Sequence, residues 1–309
     1  LKEANGWIIT GVAVGVLLTG CSQGPAAPGG TVYPSSEPWA TSPVIALDVS
    51  EQGQLKVAGL PGPGSIQSLN RPNDRRVVLL GESFVRRHGL ISTKWDLPPE
   101  TMAKLGGRPI VALTGGDAGL WVRHTPAEAW LRELQRKDEQ LRGFSRYADG
   151  RMKDRVVPFV DGIPSSSTSS KGEVQIKAAV MSGRSPGLIL SDRQLQMLAC
   201  LDGQAGIPVA GDPATTLSCR VQWRSNGELK APKLLSLVEV ISPSARREDT
   251  AYLRDELARL IRLMQSHRTD PLDIGHSVRS QYRGMWTPER WRDAFERAQV
   301  QVQVRMTVP

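Results

Sequence analysis

From Val300 to Val308 the chain reads Val300-Gln301-Val302-Gln303-Val304-Arg305-Met306-Thr307-Val308, apolar at every second position. A period of two is the repeat of a strand, and this one predicts a strand with one wet face. Elsewhere the spacing is helical: Leu253, Leu257, Leu260, Ile261 and Met264 fall on one side of a helix. The two periods are mixed along the chain, and we find no internal repeat. The expected fold class is therefore α+β, with one or more mixed sheets and several amphipathic helices.

Strands are expected first. Val44–Val49 and Leu55–Ala58 flank a turn at Gly53, and 76–80 reads as a more buried strand. Segments 109–113 and 120–123 read as strands on either side of the turn Thr114-Gly115-Gly116-Asp117. A helix is expected from Thr125, capped by Thr125 and Glu128 with Pro126 in its first position, and running toward Tyr147. Further on, 174–181 and 188–190 read as paired strands. Ser191 and Gln194 then form a capping box for a helix reaching Leu201. Asn226-Gly227 predicts a tight hairpin turn, 234–241 a strand, and Thr287-Pro288-Glu289 the start of a last helix.

The N-terminal segment has a different character. The apolar run Trp7–Leu18 would span about 18 Å as a helix. A bilayer core needs roughly 20 residues. A short apolar run ending in small residues is the layout of a secretory signal. The residues that close it, Leu18-Thr19-Gly20-Cys21, resemble the lipobox of bacterial lipoproteins. The resemblance implies lipidation of the Cys21 thiol, a thiolate being well suited to accept a lipid through a thioether. Several acyl chains on one residue give stable anchoring, at about 0.8 kcal/mol per buried methylene. Ser22 after the cysteine implies, by the same resemblance, sorting to the outer membrane. Residues 22–43 are rich in Ser, Gly, Pro, Ala and Thr and read as an extended tether.

The expected organisation is a signal peptide over 1–20 and a lipidated cysteine with linker over 21–43. An N-terminal α+β region over 44–160, a flexible loop over 161–171 and a C-terminal α+β region over 172–309 follow. Of three cysteines, Cys200 and Cys219 remain once Cys21 is assigned to lipid. In an exported protein that even pair reads as a disulfide. A zinc site is disfavoured, since neither has a second ligand at metal spacing, and no metal or cofactor is expected. The net charge of +8 invites a nucleic-acid reading. Arginines alternate with acids, however, as in Arg254-Asp255-Glu256 and Arg290-Trp291-Arg292-Asp293. A mixed solvated surface follows, and no nucleic-acid partner is expected.

One constellation could carry catalysis. Val77-Val78-Leu79-Leu80-Gly81-Glu82-Ser83 resembles the first block of SGNH-type (GDSL-like) esterases, and Asp273-Ile274-Gly275-His276 resembles their Asp-x-x-His block. The resemblance implies Ser83 as nucleophile, His276 as base and Asp273 as its orienter. The family's Gly-x-Asn-Asp block has no match. The leading expectation is thus a non-enzymatic lipoprotein of the bacterial envelope, lipid-anchored through Cys21 and facing the periplasm. It would be a structural or assembly subunit of a periplasm-spanning complex of secretion, conjugation or pilus type, with protein partners docking by strand addition at 300–308. The alternative is a lipid-anchored serine esterase or acyl hydrolase. A ligand-binding lipoprotein for a transporter would need two similar lobes, which the pattern lacks.

Overall fold

A computed structural model describes residues 44–59, 76–90, 109–124, 127–145, 154–162, 174–182, 185–209, 212–242, 247–282 and 284–308. Cys21, Ser22 and the tether lie outside the described residues, as do Thr125, Pro126 and Tyr147.

The architecture is α+β. A seven-stranded sheet contains β1 (Val44–Val49), β2 (Leu55–Gly59), β3 (Val77–Gly81), β4 (Ile110–Thr114), β5 (Arg155–Asp161), β6 (Gln175–Ser182) and β7 (Ser185–Leu190) in the order β2-β1-β3-β4-β5-β6-β7. The strands β1, β3, β4 and β5 run parallel, with β2 antiparallel to β1 at one end, and at the other β6 antiparallel to β5 and β7 antiparallel to β6. The parallel strands are apolar almost throughout because both faces are covered. Val44, Ala46, Val77, Leu79, Ile110 and Ala112 share one face with Trp121, Trp130, Leu131 and Leu134. Ile45, Leu47, Val78, Leu80 and Leu113 share the other with Phe84 and Val85. The covering helices are α1 (Glu82–His88), α2 (Ala118–His124) and α3 (Ala127–Leu141).

Three readings are corrected. Segment 120–123 is helical, not a strand: Ala118, Trp121 and Val122 are buried at helical spacing while Leu120 is exposed. The Asp117 carboxylate accepts from the N–H groups of Gly119 (2.7 Å) and Leu120 (3.3 Å), satisfying that helix's first turn. Second, β5 has no counterpart among the expected strands, because Pro158 interrupts its pattern. Its pairing with β4 begins at Phe159 opposite Leu113, just past the residue that lacks an N–H. Third, Asn226-Gly227 does not make a two-residue turn. The connection runs to Lys233, held by Asn226 Oδ1, which accepts from the N–H groups of Glu228 and Lys233. The sheet also continues across 161–171, since β5 before it pairs with β6 after it, Asp161 opposite Gln175.

A four-stranded sheet holds β8 (Ile207–Val209), β9 (Asp212–Ser225), β10 (Lys233–Ile241) and β11 (Gln299–Thr307) in the order β11-β10-β9-β8. Helices α4 (Asp192–Leu201), α5 (Arg247–Ser266), α6 (Ile274–Val278) and α7 (Pro288–Arg297) accompany it. The Ser191–Gln194 capping box is formed in both directions, and Thr287 Oγ1 accepts from the Arg290 N–H. One continuous core joins the two sheets: Val156, Val180 and Leu190 of the first pack with Leu198, Leu257, Ile261, Val238 and Val240. Cys200 of α4 and Cys219 of β9 are joined by a disulfide.

Candidate functional site

The alternating segment forms β11, at the edge of the smaller sheet. It runs parallel to β10 through nine paired residues, from Lys233 opposite Gln299 to Ile241 opposite Thr307. Val302 is buried, Val300, Val304 and Met306 are half-buried, and Gln301, Gln303 and Arg305 are exposed, as period two requires. The entry to β11 is fixed from below. The buried Gln265 amide of α5 donates from Nε2 to the carbonyls of Phe295 and Ala298, both at 2.8 Å, where α7 gives way to the strand. The Gln299 N–H donates to the Pro232 carbonyl at 2.9 Å, and at the far end the Ser242 N–H donates to Thr307.

Among the described residues no strand pairs with the outer edge of β11. Along 301–306 lies a groove of about 800 Å³ whose other wall is Thr250, Ala251 and Arg254 of α5. Nine residues of regular edge span roughly 30 Å. The edge carries no proline within the strand and no register shift against β10, two devices by which edges are usually blunted. Among the described residues its outer backbone groups have no strand partner, and a partly apolar floor lies beside them.

Behind this layer sit two carboxylates that the sequence did not single out, Asp154 buried and Asp270 half-buried. Asp154, 4% exposed, precedes β5. One of its oxygens accepts from the Asp270 N–H at 2.6 Å, and the other lies 3.6 Å from Arg292 of α7. Asp270 in turn accepts from the N–H groups of Ile274 (2.9 Å) and Gly275 (3.0 Å) and from Trp291 Nε1 (2.8 Å). Burial pushes the Asp270 carboxyl up to about 6 against these three donors, and burial likewise raises Asp154. These bonds fasten α6 and α7 to the first sheet. Gly275 is the close approach that allows it, since a Cβ there would overlap the Trp291 ring.

The residues of the esterase resemblance lie on separate elements. Ser83 sits exposed in α1, which packs on β1, β3 and β7. Asp273 precedes α6 and His276 lies exposed within it, on the helix that packs against β9 and α7. No hydrogen bond among the described residues joins the three. The Asp273 carbonyl accepts from the N–H groups of His276 and Ser277, a local turn. The carboxylate at work in that block is Asp270, three residues earlier. Among the described residues no group of three or more His, Cys, Asp or Glu is placed to hold a metal ion. No helix among them is long and apolar enough to cross a membrane.

Comparison with known proteins touches this same layer. Residues 239–309 match the family model described as "Spore germination B3/ GerAC like, C-terminal". The match takes in the end of β10, α5, α6, α7 and β11, so it holds the groove and Asp270, while Asp154 lies outside it. No curated protein matches the chain significantly. Among solved structures, "Crystal Structure of the GerBC protein" is similar at a TM-score of 0.48 and 14% identity, over 85% of this chain and 96% of that one.

Proposed function

We propose that this chain is a lipid-anchored, non-enzymatic subunit of a membrane receptor complex of the spore-germination type. The observation that carries the reading is the family match over 239–309, which takes in α5 and β11 and so both walls of the groove. In this reading Cys21 bears the acyl chains, the tether lifts the body from the bilayer, and the β11 edge receives a strand from a partner subunit. The Cys200–Cys219 disulfide supports a location outside the reducing cytoplasm. Nothing in the comparisons supports a secretion, conjugation or pilus machine, an outer-membrane location, or an SGNH hydrolase, and the receptor reading takes their place.

The test is fractionation with pull-down. Cys21→Ser should move the chain out of the membrane fraction, and mass spectrometry of the native N-terminus should show an acylated cysteine. Ala251→Trp, at an exposed position on the groove wall, should leave the melting temperature within a few degrees yet abolish recovery of partner subunits from solubilised membranes. A native chain with an unmodified Cys21, or full recovery of partners by Ala251→Trp, would overturn the corresponding half of the proposal.

A further inference from the structure

A second groove, of about 490 Å³, runs between α5 and α4. On α5 it is lined by Glu256, Arg259, Leu260 and Leu263, a stripe at helical spacing on a different face from the Thr250, Ala251 and Arg254 wall beside β11. Its floor is apolar. Met197 of α4 and Leu260 of α5 are 8% and 3% exposed, and Leu263 beside them is half-buried.

The rim is basic. Arg193 of α4 and Arg259 of α5 meet over the groove on the two oxygens of Glu256: Arg193 Nε lies 3.4 Å from Oε2, and Arg259 pairs with Oε1. The Arg193 guanidinium also sits 4.8 Å over the Tyr252 ring, which holds it in place. Arg262, about one turn beyond Arg259, is exposed and has no ion pair among the described residues. Three guanidinium groups thus face one carboxylate, since Glu256 is the only acid among the described residues that line the groove. The neighbouring acids Asp192 and Asp255 are taken by Lys137 at 2.6 Å and by Arg254 at 2.9 Å. Elsewhere the arginines alternate with acids; here positive charge is left over, beside an apolar floor.

We propose that the α4–α5 groove receives an acidic segment of a protein partner, with one apolar side chain on Met197, Leu260 and Leu263 and a flanking carboxylate on Arg259 and Arg262. Charge complementarity selects the acid, and the planar guanidinium fork suits a carboxylate. The recessed floor selects a peptide over a bilayer: a broad lipid surface would meet the exposed arginines but not the buried Met197 and Leu260 between them. The inference stands independently of the docking role given to the β11 edge.

The experiment follows the Met197 methyl NMR signal in the full chain, solubilised in a neutral detergent, with the capped peptide Asp-Glu-Leu-Asp-Glu as probe. Met197 should shift saturably. The uncharged peptide Asn-Gln-Leu-Asn-Gln should leave it unmoved, and replacing the central Leu by Ser should weaken binding by about ten-fold. Arg262→Glu should also weaken it by about ten-fold, the value of one charge-assisted hydrogen bond. Arg220→Glu makes the same change of net charge on the face of β9 opposite Cys219, which is bonded to α4, and should leave binding within about two-fold. Both arginines are exposed, so both variants should fold. Absence of a saturable Met197 shift, or equal weakening by the two variants, would overturn the site. A Met197 shift produced by phosphatidylglycerol vesicles and lost in Arg262→Glu would overturn the peptide in favour of a membrane.

Discussion

Breaking the Cys200–Cys219 bond should cost the chain a definite and measurable part of its stability. The cross-link closes a loop with a sequence separation of 19. Loop-closure entropy for that length is worth about 3 kcal/mol at 25 °C. In a domain of this size each kilocalorie moves the melting temperature by roughly 2–4 °C, so a fall of about 6–12 °C is expected. Both cysteines are buried, at 1% and 3% exposure, and removing their sulfur atoms would add a packing loss to the entropic one. Reduction of the native chain keeps the atoms and isolates the cross-link. Thermal melts with and without dithiothreitol, beside Cys200→Ala/Cys219→Ala, separate the two contributions: the double variant should melt lower than the reduced native chain. A fall below about 2 °C on full reduction, verified by thiol titration, would refute the loop-entropy argument. It would mean that β8–β9 pairing and the Cys219 N–H bond to the Gln204 carbonyl already order the segment.

The buried carboxylates predict an unusual pH response. The Asp270 carboxyl titrates near 6 in the folded chain against its ordinary 3.8, so the native state holds more protons than the unfolded one between those values. Its contribution is present in full below 3.8 and is lost as pH rises through about 6. The stability of the native chain relative to Asp270→Asn should therefore fall by about 2 kcal/mol between pH 4 and pH 6, read from urea midpoints. A relative stability that is flat or rising over that range would contradict the assignment. Gly81→Ala should destabilise by about 1–3 kcal/mol or more, because the new Cβ would overlap the buried Asp48 carboxylate. That carboxylate accepts from the N–H groups of Val49 (2.8 Å) and Ala118 (3.0 Å), so displacing it also uncaps α2. Chemical denaturation of the variant checks this, and an unchanged midpoint would show that Asp48 moves aside freely.

Local chemistry was the part most open to reading from residues alone. β1 matches its expected bounds, and the Ser191–Gln194 box and the Thr287-Pro288 start were visible because capping needs only three or four neighbouring residues. The edge strand was visible through its alternation. Segment 120–123 escaped because Leu120, Trp121 and Val122 form a run too short to distinguish the two periods. What settles it is Asp48, 70 positions from the Ala118 N–H that it receives. The candidate site divides the same way. Its strand was legible, but the groove is made by Thr250, Ala251 and Arg254 of another element. Asp270 carries no signal in the sequence, because its partners, Trp291 and the start of α6, meet it only in the fold.

From its residues alone, then, this chain determines its α+β class, the starts of its capped helices and the wet face of its last strand, all consequences of side-chain period and short-range capping. Only the folded arrangement decided that β11 lies parallel to β10 with its outer edge unpaired among the described residues. It also decided that Ser83 and His276 belong to helices packed on different sheets. Strand order and the meeting of distant side chains depend on how whole faces bury one another, and that is a property of the packed core rather than of any stretch of sequence.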